Sequence, residues 1–341
     1  MTYRLGEFHQ FSADGRVYLY LTESAGIFEI DGAAQRTLEA LRNGERTREA
    51  LIAASGLDTF EELAGCRAIV SGKAAYSGVQ DPPAGFPLQT LVLNLTNQCN
   101  LSCHYCYEYG ADKIATPQGK PKFMNLETAK AAVDLLLAQA HGRTPVQITF
   151  FGGETLMNFP LLQGVVAYAD EQLANRSGSV SYSLTTNGTL LTPPIIDFLA
   201  EHRIGVTVSM DGPRELHDQL RVFANGKGSY DVIEPKVREL IRRHTTRPIT
   251  ARVTLTSGVN DVLRIFRHLK HDLGFHEVGF APATASKDQL YTIGARGMDG
   301  VLEQFHQLAD EYLECAIRGE LHGFSNVSET LSELQDRKSV V

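Results

Sequence analysis

Residues 90–107 read Thr-Leu-Val-Leu-Asn-Leu-Thr-Asn-Gln-Cys-Asn-Leu-Ser-Cys-His-Tyr-Cys-Tyr, an apolar run that breaks straight into three cysteines. Cys99, Cys103 and Cys106 stand at C-x3-C-x2-C spacing within eight residues. Three thiols on one loop after a strand can ligate one compact metal centre, and thiolates are the usual protein ligands of iron–sulfur clusters. Three ligands, rather than four, would leave one iron of a cubane free to bind something else. A zinc ion is the competing occupant, with His104 available as its fourth ligand.

Downstream of that loop the chain alternates strand-like and helix-like segments. Strands are expected at 90–95, 146–151, 179–184, 205–210, 249–255 and 277–280. Helices are expected near 126–140, 160–174, 194–201, 231–244, 262–273 and 298–318, the first capped by Asn125 with Glu127 and Thr128 in its opening turn. Repeated βα units imply a parallel sheet with helices outside. Six units rather than eight predict an open, partial (β/α)6 TIM-type barrel, with function at the C-terminal ends of the strands.

The strand ends carry polar groups beside glycine. The second ends in Phe151-Gly152-Gly153-Glu154-Thr155, where backbone can approach a ligand closely and a carboxylate can accept from an ammonium group. The third ends in Thr185-Thr186-Asn187-Gly188 and the fourth in Ser209-Met210-Asp211-Gly212-Pro213. Each alone is an ordinary turn. Together with the cysteine loop they mark one face.

Upstream, residues 1–73 form a separate small α+β unit. A strand at 16–21 follows Asp14-Gly15, a second lies at 26–30, and helices are expected at 33–41, 48–55 and 59–70. The unit suits a peptide-gripping module, or a cap on the following domain. Residues 74–89 read as a linker, with three prolines and two glycines over 74–87.

With 341 residues and a net charge of −8, the chain is poorly suited to broad affinity for nucleic acid or anionic lipid. It has no apolar stretch of the ~18 residues a membrane span needs. Its first residues, MTYRLGEFHQ, lack the apolar core of a secretory signal, so a cytoplasmic location is expected. Five cysteines, three of them clustered, favour a metal over disulfides in a reducing compartment. Cys66 and Cys315 lie in helix-like segments and read as small core residues.

These words together resemble the radical S-adenosylmethionine (radical SAM) superfamily. The resemblance covers 90–318 and implies that Cys99, Cys103 and Cys106 hold a [4Fe–4S] cluster whose open iron chelates SAM. Reductive cleavage of SAM would then yield a 5′-deoxyadenosyl radical. By the same resemblance Gly152, Gly153 and Glu154 bind the methionyl ammonium. Asn187 and Ser209 would lie around the ribose and methionine carboxylate. Arg221 and the segment Gly279-Phe280-Ala281 are weaker candidates for the carboxylate and the adenine face.

The words around Ser209–Pro213, Leu216-His217-Asp218 and Gly226–Asp231 resemble the peptide-modifying branch with a C-terminal SPASM or twitch domain. The first unit is similar to its winged-helix-like leader-recognition element. More narrowly, Phe150–Phe159 and Cys103–Tyr109 resemble the quinohaemoprotein amine dehydrogenase maturation family. That likeness implies Cys-to-Asp/Glu thioether crosslinking in a peptide or small protein, with an external electron donor such as a flavodoxin or ferredoxin. Anaerobic sulfatase maturation, forming formylglycine, is the alternative, and a non-catalytic peptide-binding escort is another. Asp211 and Asp231 are the candidate bases for the attacking thiol, though a turn and a helix cap account for them equally; His217 reads as structural. Residues 319–341 are expected to begin a truncated C-terminal region. Their last six resemble one frame of a sequencing adapter, and auxiliary iron–sulfur clusters are expected in the missing part.

Overall fold

The computed structural model describes residues 1–22, 24–71, 87–106, 122–142, 145–174, 178–283 and 289–336. Tyr107–Tyr109 of the cysteine word, most of the expected linker and the last five residues lie outside the described residues. Contacts divide the chain into two units, Met1–Phe86 with Glu329–Val341, and Pro87–Ser328.

The smaller unit runs β1 (Thr2–Leu5), β2 (Phe8–Ala13), β3 (Arg16–Leu21), β4 (Gly26–Ile30), α1 (Gly32–Arg42), β5 (Arg46–Thr47), α2 (Arg48–Ser55), α3 (Leu57–Gly65) and β6 (Ile69–Ser71). Asp14 and Gly15, at φ of 49° and 73°, make the tight turn between β2 and β3. Two antiparallel sheets form, ordered β2-β3-β4 and β5-β1-β6, around Leu19, Leu38, Leu51, Phe60 and Ile69. The helix expected at 59–70 stops at Gly65. Arg67 turns the chain with φ of 66°, and Ile69 then pairs with Leu5, a non-local pairing that suits a β-branched run. Cys66, at the end of α3, is half-buried and packs against that core.

The larger unit contains β7 (Thr90–Thr96), α4 (Leu126–Gln139), β8 (Val146–Gly152), α5 (Phe159–Ala174), β9 (Val180–Thr186), α6 (Pro193–Glu201), β10 (Gly205–Ser209), α7 (Arg214–His217), α8 (Tyr230–Arg243), β11 (Ile249–Leu255), α9 (Val262–Arg267), β12 (Glu277–Pro282), α10 (Ala295–Ile317) and the start of α11 (Ser325–Asp336). Asn125 caps α4, its side chain accepting the Thr128 N–H at 2.8 Å. Cys315, on α10, is half-buried and accepts from Arg318, so it is not the core residue expected of it.

All six strands of this unit pair in parallel and in chain order, β7 to β12. With right-handed crossovers and no reversal of order, every helix falls on the same side of the sheet. The strands record this in their alternation. Val146, Ile148 and Phe150, like Ile249, Ala251 and Val253, join the helices in one apolar core. The residues between them are Gln147, Thr149, Thr250, Arg252 and Thr254, and they face the other way. A parallel sheet covered on both faces would show nearly continuous apolar runs; this one curls around a polar interior, as a partial barrel does. β7 and β12 remain its two edges.

The edge of β12 is closed by the chain that follows α10. Val278 N–H donates to Gly323 C=O at 2.8 Å. The Asn326 amide then both accepts from Phe280 N–H and donates to Phe280 C=O, each at 2.9 Å. A side-chain amide thus stands in for a seventh strand. Asn326→Leu should strand both backbone groups and cost about 1–3 kcal/mol, measured by denaturant unfolding; an unchanged midpoint would contradict this role.

Candidate functional site

Two strand ends meet backbone to backbone. Gly153 N–H donates to Thr96 C=O at 2.8 Å, and Glu154 N–H to Gln98 C=O at 2.9 Å. A Cβ on Gly152 would lie 2.4 Å from the Thr96 oxygen, and one on Gly153 2.4 Å from the Gln98 oxygen. Gly152 also has φ of 147°, open to glycine alone. The end of β8 is therefore strapped directly under the start of the cysteine loop.

The far half of that loop lies along residues 220–222. Ser102 N–H donates to Val222 C=O at 2.8 Å and His104 N–H to Leu220 C=O at 3.0 Å. Cys106 N–H closes a turn onto Cys103 C=O at 3.0 Å. The loop is held at both ends, and Cys99, Cys103 and Cys106 are unpaired; Cys103 feels the charge of the other two, and Cys99 that of Cys106. Burial pushes the Cys99 thiol up, partly offset by N–H donors from Leu101 and Asn187, while Glu154 and Cys106 push it further. Cys103 is pushed up to about 11, by burial first, with Arg221 opposing and Asp211 and the other two cysteines adding. The desolvated sulfurs of Cys99 and Cys103 resist becoming thiolates unless a strongly positive centre sits beside them.

That donor set fits an iron–sulfur cluster. Among the described residues no three His, Cys, Asp or Glu side chains group closely enough for a single metal ion. His104 is exposed. The tetrahedral zinc arrangement is therefore not assembled here, whereas the thiolates of a cubane stand apart on separate irons.

Glu154 is 1% exposed. Its Oε1 accepts from Leu156 N–H at 3.0 Å and Thr186 Oγ1 at 2.7 Å, and its Oε2 from Asn187 N–H at 2.7 Å. Burial raises its pKa and these donors pull it back. A carboxylate has about four acceptor positions, so one on Oε2 is still open to an ammonium. The Asn187 side chain turns to the cysteine loop, its Nδ2 lying 3.7 Å from Cys99 Sγ and 3.0 Å from Asn100 Oδ1. Thr155, after the glycines, donates to Thr185 C=O at 2.7 Å and joins the ends of β8 and β9.

Beyond β10 a buried polar network takes over. Asp211 Oδ2 accepts from the Tyr105 hydroxyl and, at 2.8 Å, from Arg221 Nε. Its Oδ1 accepts Thr254 N–H at 2.9 Å, and the Arg221 guanidinium lies 5.3 Å from the Tyr105 ring centre. Burial alone would weaken the Arg221 charge, but Asp211 reverses this and holds it cationic. Burial, then the acid's charge, keep the Tyr105 phenol protonated. His217 Nδ1 accepts the Asp211 N–H at 3.3 Å, so its proton sits on Nε2, 2.9 Å from Ser229 Oγ, which donates to Arg221 C=O at 2.8 Å.

The other candidates separate. Ser209 ends β10 on the polar face. Asp231 is exposed on the first turn of α8 and paired with Arg214, so it neither caps the helix nor joins the cysteine loop. Asp211, fully buried with its carboxylate committed to three donors, is built as a counter-ion rather than a base. Phe280 also corrects the expectation of an adenine face. Its ring is 2% exposed and packs on Phe305 and Phe324, on the helix side of β12. Tyr105, Thr186 and Ser229 stood in the sequence reading only as members of motifs; the partners of the first two, Asp211 and Glu154, lie tens of residues away, and Ser229 meets His217 and Arg221 only through the fold.

Residues 93–280, more than half of the chain, match the family model for the radical SAM superfamily. A serine-type anaerobic sulfatase-maturating enzyme of Bacteroides thetaiotaomicron is 29% identical over 229 residues, 65% of this chain and 54% of that protein. An uncharacterised protein of Methanocaldococcus jannaschii is 37% identical over 142 residues, 42% of this chain and 45% of its own length. The fold is similar to a solved structure of native anSMEcpe with bound AdoMet, with TM-score 0.58 and 23% identity, over 68% of this chain and 63% of that one. The chain spans about half the length of these curated relatives. No helix among the described residues is long and apolar enough to cross a membrane.

Two outcomes follow from the buried network. Asp211→Asn leaves Arg221 buried without its counter-charge and should cost about 3–5 kcal/mol; a loss below that of a typical surface change, in urea unfolding of the metal-free protein, would contradict it. His217, held neutral by burial with its pKa lowered to about 3, takes its proton only on unfolding. Stability should therefore fall as pH drops from about 6.5 toward 3, by up to about 1.4 kcal/mol per pH unit from this group. His217→Gln should flatten that slope; equal slopes in the two proteins would refute it.

Proposed function

The chain belongs to the radical SAM superfamily, and from that premise we propose that it modifies a peptide or small protein. The carrying observation is the convergence of Cys99, Cys103 and Cys106 on a loop strapped at one end by Gly152–Glu154 and at the other by residues 220–222. When bound there, a [4Fe–4S] cluster and SAM supply the electron and the 5′-deoxyadenosyl radical that removes hydrogen from an unactivated carbon. This chain's own residues do the rest. The cysteines hold the cluster, the free acceptor of Glu154 takes the methionyl ammonium, Asn187 donates toward Cys99, and the buried Arg221 supplies positive charge beside Cys103. A one-electron donor such as a flavodoxin or ferredoxin would feed it in a reducing compartment.

The product we favour is a Cys-to-Asp/Glu thioether crosslink, on the motif-level likeness around Phe150–Phe159. Formylglycine formation is the second reading, favoured by the similarity to sulfatase-maturating enzymes. The small unit supports a peptide substrate. β4 is a sheet edge with Ile27 and Phe28 exposed at 60% and 44%, the form of an edge that accepts an extended chain.

Anaerobic reconstitution with iron and sulfide, then reductant and SAM, should yield 5′-deoxyadenosine, and Cys103→Ala should abolish it. A protein that binds iron yet cleaves no SAM would defeat the proposal. With a peptide bearing Cys and Glu, loss of the alkylatable thiol without a new aldehyde supports the crosslink; a hydrazide-reactive aldehyde supports formylglycine instead.

A further inference from the structure

Among the described residues, the polar interior of the partial barrel holds an arginine with nothing to hold. Arg252, midway along β11, faces that interior, is exposed, and forms no ion pair or side-chain hydrogen bond among the described residues. Its register neighbours are Ser209 on β10 and Gly279 on β12. The glycine lets both neighbours lie close to the sheet: a Cβ there would stand 3.1 Å from Arg252 Nη1 and 2.5 Å from Ser325 Oγ, so their side chains fill the place it leaves. Ser325 is 1% exposed, and its hydroxyl is buried without a hydrogen-bond partner. A free guanidinium and an unsatisfied buried hydroxyl therefore gather over one side-chain-free patch of sheet, with the Ser209 hydroxyl beside them. Glu277, the nearest acid along β12, stands a layer lower beside Thr250.

We propose that Arg252, with Ser325 and Ser209, forms a carboxylate-binding subsite that orients an acidic residue of the peptide substrate. The inference rests on the peptide-modifying reading above and names the substrate's chemistry. A planar fork of donors matches a carboxylate in a way a lone ammonium does not. Arg252 lies three residues inside the end of β11 and level with Ser209, the last residue of β10. An acidic residue held there would sit below the cysteine loop, inside the barrel.

The test uses the whole chain, reconstituted anaerobically, and two fluorescein-labelled probes, a Gly-Glu repeat peptide and its Gly-Gln counterpart. Fluorescence anisotropy should show the wild type preferring the acidic peptide by about tenfold. Arg252→Gln should erase that preference, and Arg252→Lys should keep only part of it, because the charge survives and the fork does not. SAM affinity, by equilibrium dialysis, should move less than about twofold. The proposal is overturned if wild type shows no preference, or if Arg252→Gln retains it. A SAM affinity that falls about tenfold also overturns it, assigning the subsite to the methionyl carboxylate. Wild type that forms 5′-deoxyadenosine but shows no preference sinks this subsite alone; wild type that forms none sinks the radical chemistry.

Discussion

Everything at the top of the barrel depends on how closely two stretches of backbone approach. Gly152 and Gly153 pass under Thr96–Gln98 at a distance that no side chain permits. Hydrogen bonds from Gly153 and Glu154 then fix the beginning of the cysteine loop to the end of β8. The closeness also drives Glu154 into a site from which water is excluded. There it survives as an acceptor for Leu156, Thr186 and Asn187, and so joins the ends of β8 and β9. One short strap thus sets both the sulfurs and the carboxylate beside them.

The far side of the loop is set by charge instead of shape. Asp211 and Arg221 form an ion pair out of solvent, a costly arrangement unless every remaining donor and acceptor is used. Here Tyr105, Thr254 and Arg221 Nε occupy the Asp211 carboxylate, and the His217–Ser229 chain supports the backbone on either side. Because Tyr105 lies between Cys103 and Cys106, the same pair that stabilises the end of β10 also orients the last two cysteines. The cation also opposes the burial that would otherwise keep Cys103 protonated.

Much of this was legible from residue order. The singly wound sheet followed from six βα periods, and the observed strands lie within a residue or two of the expected ones. The cysteine spacing and the glycine pair marked the loop and its strap, since glycine's want of a side chain is visible in one dimension. Partnerships between distant residues were not. Asp211 read as a candidate base or a turn residue because its phenol and guanidinium partners, Tyr105 and Arg221, appear in sequence only as unrelated letters. Phe280 was assigned to the wrong face, although its pairing with Val278 in the strand alternation was a usable signal. The strand at Ile69–Ser71 was lost for a different reason, because it exists only by pairing with β1, more than sixty residues earlier.

The central claim is that three sulfurs on one loop carry an iron cube whose remaining corner is open to SAM. Electron paramagnetic resonance of the reduced, reconstituted protein, recorded with and without SAM, addresses it most directly. The account predicts a single four-iron signal whose shape changes when SAM is added, and which disappears when Cys99, Cys103 and Cys106 are replaced together. A signal indifferent to SAM, or a colourless protein that retains zinc on the same thiols, would contradict it.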